Sequence, residues 1–163
     1  MPDLEVLENP KTSLASEVIS SDGKTLGKYY FNDNRTPVTF DELPTHLVDA
    51  LIATEDIRFY SHSGIDFKRT FGAALKLGKD GGGSTITQQL AKLLFTGEGS
   101  RDILERLTQK FKEYIIAVRL ERHYTKDEII TQYLNLYDFG NNGDGIRSAA
   151  RIYFGKEPKD LDI

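Results

Sequence analysis

Apolar positions along the chain fall into two regimes. From Val18 to Phe31 they alternate weakly about Asp22-Gly23, which predicts a β-hairpin around a tight turn. Downstream the spacing lengthens to three and four residues, which predicts helices separated by glycine-containing breaks. Pro44 opens the first helix, with Leu47, Val48, Leu51 and Ile52 as its apolar stripe. Phe67, Phe71, Ala74 and Leu75 mark a second. After the break Gly78-Lys79-Asp80-Gly81-Gly82-Gly83, Ser84 is expected to cap a third helix with Ile86, Leu90, Leu93 and Leu94 on its apolar side. Another break runs from Thr96 to Ser100. A long helix is predicted over roughly 101–122, with Leu104, Leu107, Phe111, Tyr114 and Val118 turned to the core. Thr125 and Glu128 form a capping box for the next helix, which carries Ile129, Ile130, Tyr133 and Leu134. Beyond the turn from Gly140 to Gly145, Ile146, Ala149, Ala150 and Tyr153 mark a last helix. The expected fold class is mainly α with a small N-terminal β-hairpin. Residues 1–15 are polar and expected to be extended, ahead of a single domain over 16–163.

Composition narrows the functions this pattern can serve. The 163 residues suffice for one domain with its own core. A net charge of −4 argues against nucleic acid as a partner, since a phosphate backbone needs a basic surface. A small phosphorylated ligand needs only a local cluster of cations and stays open. The absence of cysteine excludes disulfides, cysteine-zinc sites and thiol nucleophiles. There is no signal peptide and no run of about 18 apolar residues, so no segment is expected to span a bilayer. The ending Glu157-Pro158-Lys159-Asp160-Leu161-Asp162-Ile163 has no cap or tail, and the piece is expected to be cut from a longer chain.

Three groups of residues are suited to chemistry. Glu55 follows Leu51 by four residues and Val48 by seven, which puts it on the buried side of its helix. Desolvation there raises a carboxylate toward the range of a useful general base, although the same spacing fits a carboxylate paired with Arg58 at a helix end. On the third helix Thr85, Gln88, Gln89 and Lys92 share the side opposite the leucines. Amides and an ammonium suit sugar hydroxyls and phosphate oxygens, and a solvated face fits equally. The helix N-terminus behind Gly81-Gly82-Gly83 is a candidate anion site, but Lys79 precedes the glycines, unlike in a Walker A loop. Arg106, Lys110 and Glu113 fall on one stripe of the long helix, where surface salt bridging is the ordinary explanation. His46, His62 and His123 lack metal-ligand spacing, and His62 with Asp66 reads as a helical pair.

Taken in order, these segments resemble glycosyltransferase family 51, the glycan-polymerising domain of class A penicillin-binding proteins and monofunctional transglycosylases. Glu55-Asp56-Ile57-Arg58-Phe59-Tyr60-Ser61-His62-Ser63-Gly64 resembles the family's first motif. Gly82-Gly83-Ser84-Thr85-Ile86-Thr87-Gln88-Gln89-Leu90-Ala91-Lys92 is similar to the second almost letter for letter. Lys110 and Glu113 stand where the third places its lysine and glutamate. Lys126 through Tyr133-Leu134-Asn135 resembles the fourth, and Ala149-Ala150-Arg151-Ile152-Tyr153-Phe154-Gly155-Lys156 the fifth. Gln109, Leu93 and Thr131 depart from the usual arginine, asparagine and acidic residue of these motifs. The family domain continues beyond residue 163, and a transmembrane anchor normally precedes it.

The resemblance implies a lysozyme-like, two-lobed helical domain that polymerises lipid II. The donor is a strand attached to undecaprenyl pyrophosphate, and the acceptor is the GlcNAc 4-hydroxyl. Glu55 is implied as the base and Glu113 as the second catalytic carboxylate, which orients the cations or the donor sugar. Ser84, Thr85, Gln88, Gln89, Lys92, Arg106 and Lys110 are implied to bind substrate. No cofactor is required, and a divalent metal, Mg or Mn, is allowed. Implied partners are lipid II, the growing glycan strand, the membrane surface and moenomycin-type inhibitors. The implied location is the extracytoplasmic face of the bacterial cytoplasmic membrane. The segment from Phe67 to Phe95, rich in Phe and Leu beside glycines, is expected to touch lipid. The rival readings are a murein-cleaving lytic transglycosylase or lysozyme-like enzyme and a non-catalytic lipid II-binding module.

Overall fold

Why the chain folds as it does is clearest at its buried centre, where three helices meet. In the computed structural model, which describes residues 16–29, 35–75, 83–97 and 102–162, six α-helices follow one β-hairpin. Strands β1 (Ser16–Ile19) and β2 (Thr25–Tyr29) pair antiparallel, with a register shift between Val18 and Ile19. Gly23 takes a φ of +81° in the connecting turn, which only glycine adopts cheaply, and its N–H donates to the Ser20 carbonyl at 2.9 Å. The sequence-based hairpin is therefore present. Residues 1–15 and Phe31 lie outside the described residues.

Helix α1 (Thr45–Glu55) starts behind Pro44 as read from sequence, with Val48 buried and Leu47, Leu51 and Ile52 packed against the core. Helix α2 covers Phe67–Leu75. Helix α3 (Ile86–Ala91) is short and continues into one π-helical turn, Lys92–Thr96, closed by Gly97 at a φ of +61°. Helices α4 (Ile103–His123), α5 (Lys126–Leu136) and α6 (Gly145–Phe154) complete the body. Short α3 packs on both α4 and α5. Their shared core holds Phe59, Ile86, Leu90, Ile116, Leu120, Ile129 and Ile130, each almost wholly buried. Burying one such side chain contributes about 1.5–3 kcal/mol.

Two sequence expectations change here. The cap of α3 is Thr85, not Ser84. Thr85 Oγ1 accepts from Gln88 N at 3.1 Å, and the Gln88 side chain returns to Thr85 N, completing a capping box. On α4 the stripe assigned to the core points the other way. Leu104, Leu107 and Phe111 are 72%, 55% and 65% exposed, whereas Glu113, Ile116, Ala117 and Leu120 are buried. The N-terminal half of α4 extends past the core, so its apolar stripe stays exposed.

The segment before α1 is pinned to the end of α5. Asn135 accepts from Val38 N and donates to Val38 O, both at 2.9 Å, and Arg35 donates to the Leu136 carbonyl. Thr125 and Glu128 cap α5 as expected, with Glu128 Oε2 accepting from Thr125 N at 2.7 Å.

Candidate active site

The loop after α1 is built to hold the end of that helix still. Asp56 is 1% exposed and directly follows Glu55. Its Oδ2 accepts from Ile86 N at 3.1 Å, in the first turn of α3, and lies 3.0 Å from His62 Nε2. Arg58 pairs with Asp66 at 2.7 Å, not with Glu55, and His62 pairs with Asp56, not with Asp66. Both sequence pairings fail because the chain turns through Phe59–Ser61 instead of continuing as a helix, which sends Arg58 and His62 to different partners.

Gly64 closes this loop onto two helices. Its φ is +89°, and a Cβ there would lie 2.8 Å from the Ala117 carbonyl carbon and oxygen on α4. Its own carbonyl accepts from Thr85 Oγ1 at 2.7 Å and from Gln88 Nε2 at 3.2 Å. Lys126 adds a third tie. Its ammonium donates to the His62 carbonyl at 2.7 Å, pairs with Glu121 at 2.8 Å and sits 4.2 Å from the Phe59 ring centre.

Above this scaffold lies a groove of about 1090 Å³. Glu55 on α1 and Glu113 on α4 both line it, together with Lys92, Arg106 and Lys110. Ser84, Gln88 and Gln89 line it too, as do Arg69 and Tyr133, which the sequence reading left without a role. Glu55 Oε2 accepts from Gln89 Nε2 at 2.8 Å, and its backbone carbonyl accepts from Arg69. Gln89 Oε1 accepts from the Tyr133 hydroxyl at 3.1 Å. On the facing wall Lys110 Nζ donates to Glu113 Oε2 at 2.6 Å and to Ser84 Oγ at 2.8 Å. Among the described residues, no carboxylate pairs with Lys92 or Arg106. Two carboxylates thus face a groove whose cations are only partly neutralised.

Not every predicted contact residue is available to a ligand. Thr85 is fully buried, is absent from the groove lining, and has its hydroxyl engaged by Gly64 and Gln88. Gln88 borders the groove but is fully buried, with its amide holding Gly64 and Thr85. The anion site expected at the start of α3 is not formed among the described residues, and Gly81 and Gly82 lie outside them. The helix has only six residues, and its Ile86 and Gln88 N–H groups serve Asp56 and Thr85. The missed positions differ in legibility. Tyr133 sits within the fourth motif and Arg69 on α2, but only the folded chain brings either to Glu55.

Protein side chains alone form no metal cage among the described residues. Glu55 and Glu113 each have one oxygen engaged by a side chain, and no group of three or more His, Asp or Glu among the described residues could hold an ion. Among the described residues, no helix is long and apolar enough to cross a membrane.

Comparison with known proteins agrees with the geometry. The Transglycosylase family model matches residues 22–163. The chain belongs to the transglycosylase family. It is 39% identical to penicillin-binding protein 1A of Pseudomonas aeruginosa, covering 100% of this chain and 20% of that protein. It is 42% identical to penicillin-binding protein 1F of Bacillus subtilis, over 91% of this chain and 21% of the relative. Penicillin-binding protein 1A of Escherichia coli is 39% identical over 100% of this chain and 19% of its own length. The transglycosylase chain therefore spans about a fifth of the curated relatives it matches.

Proposed function

We propose that this domain is a peptidoglycan glycosyltransferase that joins lipid II units into glycan strands, with inversion at the donor carbon. The observation that carries the reading is the shared groove, where Glu55 and Glu113 face each other's walls beside Lys92, Arg106 and Lys110. Cleaving an ordinary glycoside requires an acid to protonate a poor leaving group. Pyrophosphate leaves readily and needs its growing charge met by cations. A groove with one carboxylate on a neutral amide and three further cations in its lining suits the second task.

In the proposed step Glu55 removes the proton of the acceptor GlcNAc 4-hydroxyl. The freed oxygen attacks C1 of the donor MurNAc from the face opposite its leaving group. The C1–O bond breaks with its electron pair moving to the undecaprenyl pyrophosphate. Lys92, Arg106 and Lys110 take up that charge, and Glu113 aims the Lys110 ammonium. Ser84, fixed by Lys110, orients a phosphate or sugar oxygen. The same groove is the proposed seat of moenomycin-type inhibitors.

The lipid tail requires an apolar border, and α4 offers one. Ile103 and Leu107 line the groove, and exposed Leu104, Phe111 and Ile115 continue their surface outward. Exposed Phe67 and Leu93 support the part of 67–95 that is described; residues 76–82 lie outside it. This surface is proposed to rest on the extracytoplasmic face of the cytoplasmic membrane.

Purified lipid II tests the proposal. The intact protein should polymerise it, and Glu55→Gln should abolish polymer while keeping the melting temperature. Polymer from that variant rules out Glu55 as base. Release of fragments from purified murein supports the lytic rival, and lipid II binding without turnover supports a binding module.

A further inference from the structure

The proposed base is held by two hydrogen bonds in series, and the far one begins in the core. Gln89 Nε2 donates to Glu55 Oε2 at 2.8 Å, and Tyr133 on α5 donates its hydroxyl to Gln89 Oε1 at 3.1 Å. A side-chain amide has two orientations that exchange its oxygen and nitrogen. Beside an ionised carboxylate only one is favourable, because the carboxylate can only accept. Once Glu55 has taken a proton, that preference lapses, since a carboxylic acid can donate to an amide oxygen. A second group must then hold the amide.

Tyr133 is placed for that task. Its ring is 3% exposed within the core. Burial, and then the charges of Glu55 and Tyr137, push its hydroxyl well above the ordinary tyrosine range. It therefore keeps a proton to donate throughout the neutral range. Among the described residues, Glu55 Oε1 has no hydrogen-bond partner.

On the glycosyltransferase reading above, we infer that Tyr133 is a positioning residue: by donating to Gln89 Oε1 it keeps the Gln89 NH2 on Glu55 Oε2 and reserves Glu55 Oε1 for the proton in transit. The acceptor O–H bond breaks and its proton moves to Oε1. The oxygen pair forms the new glycosidic bond, and the pyrophosphate leaves with the pair of the broken C1–O bond. Gln89 and Tyr133 exchange no proton and do not turn.

The test is a double-mutant cycle in the intact protein, with purified lipid II as substrate. Tyr133→Phe and Gln89→Met should each lower kcat about tenfold while KM stays within about twofold. The double variant should be no slower than Gln89→Met alone, because the hydroxyl acts only through the amide. Losses that multiply in the double variant overturn the inference, as does a wild-type rate for Tyr133→Phe. If Tyr133→Phe melts too low to assay, Gln89→Met decides alone: a selective loss of kcat supports the inference, and full kcat overturns it. A wild-type protein that makes no polymer, or a Glu55→Gln variant that does, sinks the glycosyltransferase reading and this inference with it.

Discussion

The Lys110 ammonium lies 2.6 Å from Glu113 Oε2, on a carboxylate that is only 7% exposed. The lysine side chain is 34% exposed, so solvent weakens the pair relative to a fully buried one. Lys110→Met leaves the buried Glu113 without its hydrogen-bonded cation and should cost about 1–3 kcal/mol. For a chain of this size each kcal/mol lowers the melting temperature by about 2–4 °C. Adding Glu113→Gln to Lys110→Met should recover part of the stability and none of the polymerisation. Thermal denaturation reads the first and lipid II turnover the second. An unchanged melting temperature for Lys110→Met would show a solvated pair.

Gly64 should tolerate no side chain. The Gly64→Ala variant combines a φ of +89° with a Cβ 2.8 Å from the backbone of Ala117. The overlap alone costs about 1–3 kcal/mol, and the left-handed backbone adds to it. Because the Gly64 carbonyl holds Thr85 and Gln88, relief of the overlap displaces α3 and with it Gln89. Stability and turnover should therefore fall together. A variant that melts with the wild type would show that the loop yields freely.

Asp66 should make stability fall in acid. Burial works against its charge, but the Arg69 N–H and the Arg58 guanidinium outweigh that and hold its carboxyl below the usual range. A depressed folded-state pKa contributes stability that is complete above the unfolded value, about 3.9, and is lost as pH falls through the folded one. Asp66→Asn should therefore be less stable than wild type at neutral pH. The gap should close progressively below about pH 4 in chemical denaturation series. A gap that stays constant to strongly acidic pH would remove the charge from the explanation.

The outer stripe of α4 should matter to lipid and not to folding. Leu104 and Phe111 are 72% and 65% exposed and do not line the groove. Replacing both with serine should shift stability by no more than about 0.5 kcal/mol per site. Sedimentation with anionic phospholipid vesicles should show a several-fold loss of bound protein. Undiminished binding would move the lipid-facing surface elsewhere.

How much of this was legible in the sequence depends on whether the signal is local. The capping box of Thr125 and Glu128 needs only residues three apart, and it was readable. The cap of α3 was equally readable, since Gln88 stands three residues after Thr85, whereas Thr87 stands three after Ser84. The face of α4 was not readable. Periodicity finds a stripe at Leu104, Leu107 and Phe111 but cannot say whether a partner lies opposite. The buried face instead carries Glu113, whose charge disguises it. Glu55, Gln89, Lys92, Lys110 and Glu113 could be named from their motifs, and the structure brings them to one groove. Asp56, His62 and Tyr133 act through partners 6 to 44 residues away, and no spacing rule reaches them.

The two walls of the groove differ in how firmly they are seated. Glu55 and Gln89 stand on a wall riveted by Asp56, Gly64 and Lys126, so it presents a fixed template. The opposite wall runs along α4 from Glu113 to its N-terminal end, where residues 102–108 are all exposed. Any change in the width of the cleft is therefore expected at that end, which carries Arg106, with the Glu55 side keeping its place.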